Sequence, residues 1–200
     1  MCHQIHKATT LTILVLIGLI LAACSPGSSS VPATSTRPPA AAPTLTATSA
    51  PKIPDWFRIP MTDVNTGKSF TMSDFAGKVV LVEAMATWCP TCWEQENEVK
   101  KLQGMMGNSQ DLVLVSLDVD IHEDEVTLKD FVTTGHYTWR FAVVPLLVAR
   151  ALNTLYSTDY SNPPLAPMLF IDRDGSVYGL PNGVKKAEAL QNTLAPYLKP

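Results

Sequence analysis

Runs of apolar residues and helix-spaced repeats alternate from residue 56 onward. Val79-Val80-Leu81-Val82, continuing through Glu83 to Ala86, is an apolar run that reads as a strand. A helix is predicted from about Pro90 to Met106, with Val99, Leu102, Met105 and Met106 recurring at helical spacing as its inner face. Asp111–Val119 is a second strand, buried on both sides. Glu123–Thr134 is an amphipathic helix carrying Val126, Leu128, Phe131 and Val132 and closing at Gly135. A short strand at Trp139–Val144 and a helix at Pro145–Tyr156 follow. Met168–Ile171 and Val177–Leu180 flank Asp172-Arg173-Asp174-Gly175 as an antiparallel hairpin, and Ala187–Leu198 is a last helix. Ahead of all these, Trp56–Met61 and Ser69–Met72 pair as a hairpin that turns at Thr66-Gly67. A βαβ start followed by a hairpin and a helix predicts an α/β fold with a mixed central sheet flanked by helices and an N-terminal β-hairpin.

The first 51 residues are of another kind. Residues 1–23 read as an export signal: Lys7 gives the positive start, and Leu11–Leu21 is an apolar core too short for an ordinary membrane span. It ends in Leu21-Ala22-Ala23-Cys24, which resembles the lipobox of bacterial lipoproteins, with Cys24 the lipidated residue. A plain secretory signal or an uncleaved anchor is the alternative. Residues 24–51 are rich in Pro, Ser, Thr and Ala, with Arg37 the only charge, and lack the apolar residues to build a core. As a disordered tether they would span on the order of 30 Å as a coil and ~80 Å fully extended. Residues 52–200 are then one globular domain held at a membrane in the bacterial cell envelope.

Charge narrows the partners. Of the 15 Lys and Arg, Lys7 and Arg37 precede residue 52, which leaves 13 against all 18 Asp and Glu, a formal charge of −5 for the domain. That argues against nucleic acid and against electrostatic adhesion to a membrane, leaving the tether as the membrane contact.

The chemistry concentrates in Ala86-Thr87-Trp88-Cys89-Pro90-Thr91-Cys92-Trp93, where the central strand hands over to the first helix. Cys89 falls at the helix start, where unpaired N–H groups and the positive end of the dipole favour an anion, and Pro90 suits that turn. A thiolate is the nucleophile of thiol–disulfide exchange, and Cys92 lies one turn on, in reach to resolve a mixed disulfide. Structural zinc would need further ligands, and His122 and His136 have no partner at ligand spacing. A static disulfide would close too short a loop to constrain the unfolded chain much. With Cys2 removed in the signal and Cys24 acylated, Cys89 and Cys92 are the remaining free thiols, in a compartment that permits disulfides.

Gly77-Lys78-Val79-Val80-Leu81-Val82 running into Ala86-Thr87-Trp88-Cys89-Pro90-Thr91-Cys92 resembles the thioredoxin superfamily. More narrowly, it is similar to the membrane-tethered TlpA/ResA-type thiol–disulfide oxidoreductases, which include proteins serving cytochrome c maturation. The resemblance covers about residues 53–200 and implies a thioredoxin-like fold. It implies that Cys89 attacks and Cys92 resolves, with no cofactor beyond their redox-active disulfide and no metal. It further implies a substrate held around Trp88, Pro90, Thr91, Ala166 and Pro167, the last matching by its place the family's cis-proline, whose backbone pairs with the substrate chain. Expected partners are exported protein thiols or disulfides, apocytochrome c among them, and an extracytoplasmic redox partner for a monomeric enzyme.

The sequence also departs from that family. Gln95 and Asn97 stand where it often has Glu and Pro, so a helix kink is not expected, and Pro167 to Asp172 is one residue shorter than in the TlpA group. Leu152–Leu165 is a long connection placed to shape substrate access. Glu83 lies six residues before Cys89, where thioredoxins hold a buried carboxylate that exchanges protons with the second Cys and TlpA-type proteins more often have Asn. Desolvated there it would serve as a base; at a sheet edge it would merely be solvated or paired with a Lys. Glu123, Asp124 and Glu125, beside His122, begin a helix. Other functions on such a fold are a peroxidase of the peroxiredoxin type, disfavoured by Ala86 three residues before Cys89, and a copper-handling module, which would want a wider Cys spacing.

Overall fold

The computed structural model describes residues 53–107 and 109–198; the signal, the tether and Cys24 lie outside the described residues. Among the described residues are seven strands: β1 (Met61–Asp63), β2 (Lys68–Phe70), β3 (Val79–Met85), β4 (Leu112–Asp118), β5 (Arg140–Val143), β6 (Met168–Ile171) and β7 (Val177–Gly179). Four α-helices join them: α1 (Pro90–Met106), α2 (Glu125–Gly135), α3 (Leu146–Leu155) and α4 (Ala187–Leu198). None of the described helices is long and apolar enough to cross a membrane.

β1 and β2 pair antiparallel, with Gly67 at φ 67° supplying the left-handed turn between them. The strands are shorter than the sequence predicts. Asp55–Arg58 and Met72–Phe75 wind into single 3-10 turns instead, which bury Trp56, Phe57, Met72 and Phe75. The other five strands form one mixed sheet in the order β5-β4-β3-β6-β7. β3 runs parallel to β4 and antiparallel to β6, so it lies at the centre and every one of its residues is buried.

The pleat sorts side chains to two layers. Val79, Leu81 and Met85 face α1, α2 and α4 with Leu102, Phe131 and Leu190, whereas Val80, Val82 and Ala84 face α3 and the N-terminal turns with Trp56, Val148 and Leu152. By alternation Glu83 belongs to the first layer, under α1. Each large aliphatic side chain buried there contributes roughly 1.5–3 kcal/mol.

α1 runs unbroken over 17 residues, as the absence of a proline at Asn97 allows. Two expected core residues are outside. Met105 is 41% exposed, off the stripe of Val99, Leu102 and Met106, and Val126 is 69% exposed, on the face of α2 opposite Leu128, Phe131 and Val132. α2 starts at an N-cap, Asp124, whose carboxylate accepts the Thr127 N–H at 2.8 Å.

Candidate active site

The β3–α1 junction sets the centre. Cys89 is the N-cap of α1, and the Cys92 backbone N–H donates to its sulfur at 3.1 Å, as a capping oxygen would receive it. Pro90 occupies the first helical position, where no amide is needed. Both cysteines are free thiols and both are fully buried, Cys89 as much as Cys92. Capping turns the Cys89 sulfur inward under the helix; Trp88 and Pro90 form the exposed rim and Thr91 is half-buried.

Cys92 lies deeper. Its thiol donates to the Pro163 carbonyl at 3.5 Å, and burial first, then the contact with Cys89, pushes its pKa far above the ordinary thiol range. Within the chain from Leu152 to Leu165, two 3-10 turns, Thr158–Ser161 and Pro163–Leu165, bring a carbonyl to the Cys92 sulfur. The turn leaves through Ala166 at φ 45° into Pro167. No cis peptide bond occurs among the described residues, so the expected cis-proline at Pro167 is trans here; the left-handed Ala166 turns the chain into β6 instead. Pro167 lines an open groove with Tyr156, Tyr160 and Leu180.

Behind the thiols stands Glu83. It pairs in register with Ser116 on β4 and Met168 on β6, in the middle of the sheet rather than at an edge, and is fully buried with neither carboxylate oxygen hydrogen-bonded. Burial, and after it the neighbouring Glu96 charge, raise its pKa well above the usual carboxylate range, while Lys185 opposes them.

Glu96 and Lys185 are not picked out as site residues by the sequence reading, and Gln95 and Glu123 take contacts it does not give them. Glu96 is fully buried, one turn beyond Cys92 on the same helix face, and burial pushes it up to about 8. The helical stripe Cys92, Glu96, Val99 held that signal. Lys185, between β7 and α4, donates its ammonium to the Ala166 carbonyl, and burial lowers its pKa to about 8. Gln95 fixes it there: its Oε1 accepts the Lys185 N–H at 2.7 Å and its Nε2 donates to the Lys185 carbonyl at 3.1 Å. Glu123 does not serve the start of α2; its carboxylate accepts the Thr87 N–H at 2.9 Å and the Thr87 hydroxyl, bracing the loop in front of Trp88. The Trp88 indole donates to Asp120 at 2.6 Å, which holds an exposed aromatic ring at the rim. Nothing local in the sequence signals Lys185 or Glu123. His122 is exposed, and His136 caps α2 in a left-handed conformation.

The Redoxin family model matches residues 38–195. The thiol–disulfide oxidoreductase ResA of Bacillus cereus is 28% identical over 128 residues, covering 64% of this chain and 68% of that protein. ResA of Halalkalibacterium halodurans is 25% identical over 117 residues, covering 58% and 61%. Among solved structures, a thioredoxin-family thiol:disulfide interchange protein of Chlorobium tepidum superposes with a TM-score of 0.61 at 21% identity, over 70% of this chain and 93% of that one. A secreted thiol–disulfide isomerase of Corynebacterium glutamicum gives 0.58 at 15% identity, over 70% and 83%. The chain belongs to the Redoxin family, as a TlpA/ResA-type member of the thioredoxin superfamily.

Proposed function

We infer that the Cys89–Cys92 pair is the working centre of a thiol–disulfide oxidoreductase that acts on cysteines of exported proteins. The observation that carries this reading is the gathering of three buried groups at the β3–α1 junction: a capping sulfur, a second sulfur one turn on, and a carboxylate on the adjoining strand.

In the oxidising direction for the centre, the Cys89 thiolate attacks a substrate disulfide, forming one S–S bond and releasing one substrate thiolate. Cys92 must then lose its proton to attack the Cys89 sulfur. Its burial and its bond to Pro163 hold that proton on, so a base close at hand is needed. Glu83 is suited to accept it, because desolvation raises its proton affinity. The new Cys89–Cys92 bond forms as the bond from Cys89 to substrate breaks, and the second substrate sulfur leaves reduced. Pro90, Thr91, Trp88, Ala166 and Pro167 surround the sulfurs and are assigned to holding the substrate chain; no further cofactor is invoked.

The same reading keeps Cys24 as a lipid anchor and residues 24–51 as the tether, so that a monomeric domain works at the extracytoplasmic membrane face, with an envelope redox partner to recharge it. Apocytochrome c is one substrate consistent with it, supported by the likeness to ResA.

Trapping tests the centre. Cys92→Ser should accumulate mixed disulfides with envelope proteins, whereas Cys89→Ser should accumulate none; equal yields from the two variants would overturn the assignment. Cys24→Ser should release the protein from membranes while leaving insulin-disulfide reduction by the purified domain intact. Peroxide consumption faster than insulin reduction would favour a peroxidase instead.

A further inference from the structure

We propose that Glu96 is the second half of the proton acceptor behind Cys92: Glu83 and Glu96 hold one proton between them, with Lys185 as the counter-charge beside Glu83. This rests on the assignment of Glu83 as the base and adds a positioning residue to it.

The argument begins with geometry. Glu83 projects from the central strand toward α1, and Glu96 sits on the inner face of α1 one turn past Cys92. Both are fully buried, and none of their four carboxylate oxygens has a hydrogen-bond partner. The Ser116 hydroxyl, which accepts the Trp139 indole N–H at 3.0 Å, faces Glu96 and lowers its proton affinity, but burial outweighs it. Two ionised carboxylates left unbonded in an apolar layer would each carry a heavy desolvation penalty. Lys185 brings a single positive charge against two carboxylates. One proton shared between the acids makes the cluster neutral, so that is the occupancy the surroundings favour.

The remaining polar neighbours do not change that count. Cys89 and Cys92 face the pair from α1, and Tyr137 faces it from the segment after α2, its hydroxyl donating to Asn97 at 3.4 Å. Asp118 lies two residues beyond Ser116 on β4, but the charges acting on it are those of Glu123 and Asp120. Met168 of β6 and Ala187 and Leu190 of α4 add apolar cover. Burial first, and the repulsion from Glu96 after it, raise the proton affinity of Glu83.

In the resolving step the Cys92 proton passes to the singly protonated pair, which becomes fully protonated. The Cys92 sulfur bonds to Cys89, the Cys89–substrate bond breaks, and the substrate leaves as a thiolate. The pair then returns one proton to water. Removing Glu96 leaves Glu83 paired with Lys185 alone and makes it a weaker base.

Ellman's reagent reads this directly, because reduced protein releases one thionitrobenzoate when Cys89 attacks and a second when Cys92 resolves. In Glu96→Gln the acid-side midpoint of the second release should fall by at least about one pH unit, a tenfold loss of proton affinity. In Glu83→Gln that midpoint should vanish. A Glu96→Gln midpoint equal to the parent's, with Glu83→Gln still slow, would overturn the pair and leave the base standing. A Glu83→Gln profile that superimposes on the parent's would overturn both. Carbon-13 spectra of glutamate-labelled parent protein give a second measurement that needs no variant: two buried carboxyls titrating with shared steps support the pair, and two independent single-step curves overturn it.

Discussion

Replacing Gln95 with Glu keeps the side chain's size and exchanges one amide nitrogen for oxygen. In the parent the amide makes two hydrogen bonds to the Lys185 backbone, accepting at 2.7 Å and donating at 3.1 Å, from a side chain with no solvent exposure. Once ionised, the carboxylate introduced by Gln95→Glu keeps the accepted bond but sets an oxygen against the Lys185 carbonyl. The Lys185 ammonium is turned to Ala166 and Glu83 and cannot neutralise the newcomer without leaving both. Losing the donated bond and leaving a buried acceptor unpaired costs about 1–3 kcal/mol. When the new carboxyl is protonated it can donate to the carbonyl again, so the fold raises its pKa above the unfolded value. The sign follows: the variant is near parental stability below the unfolded carboxyl pKa and loses stability as pH rises, by about 1.4 kcal/mol per unit until the folded pKa is reached. Urea unfolding of variant and parent at matched pH should therefore give a deficit of about 1 kcal/mol near pH 5 and about 3 kcal/mol near pH 7. A deficit that does not change with pH would refute the clamp as drawn.

Other outcomes follow from the same structure. Glu98 accepts the Ala187 N–H at 3.0 Å at the start of α4 and pairs with Lys101 and Lys186, and the Lys101 contact first, then the Ala187 bond, lowers its pKa to about 2. Because that pKa is depressed, the contribution is present above about 4.5 and fades as pH falls toward about 2; Glu98→Ala should cost about 1–2 kcal/mol at neutral pH, and an equal cost in strong acid would refute the pairing. Gly135→Ala should lower the thermal midpoint, although Ala usually gains about 1 kcal/mol over Gly in a helix. Its Cβ would run into the Tyr137 ring, which Phe131, Trp139 and Phe141 hold in place, and a more stable variant would refute that packing.

Sequence alone determined what is written in short-range pattern. The buried strand at Val79–Met85, α1 from Pro90 to Met106 and α4 from Ala187 to Leu198 stand where periodicity puts them, because a strand or helix declares its buried face every two or every three to four residues. The Cys89–Cys92 spacing and the carboxylate at Glu83 were legible for the same reason: each lies within one element or one junction. Met105 and Val126 fall outside the core because their angle around the helix outweighs their apolar type. Tertiary structure decided the rest. That Glu83 is central rather than at an edge depends on β6, from the far end of the chain, folding back beside β3. Lys185 reaches the centre only because Gln95 receives its backbone, and Pro163 meets Cys92 only because two 3-10 turns bring it there. A polar contact between distant segments has no period and no composition, so it leaves no trace in the sequence until the fold brings its two ends together.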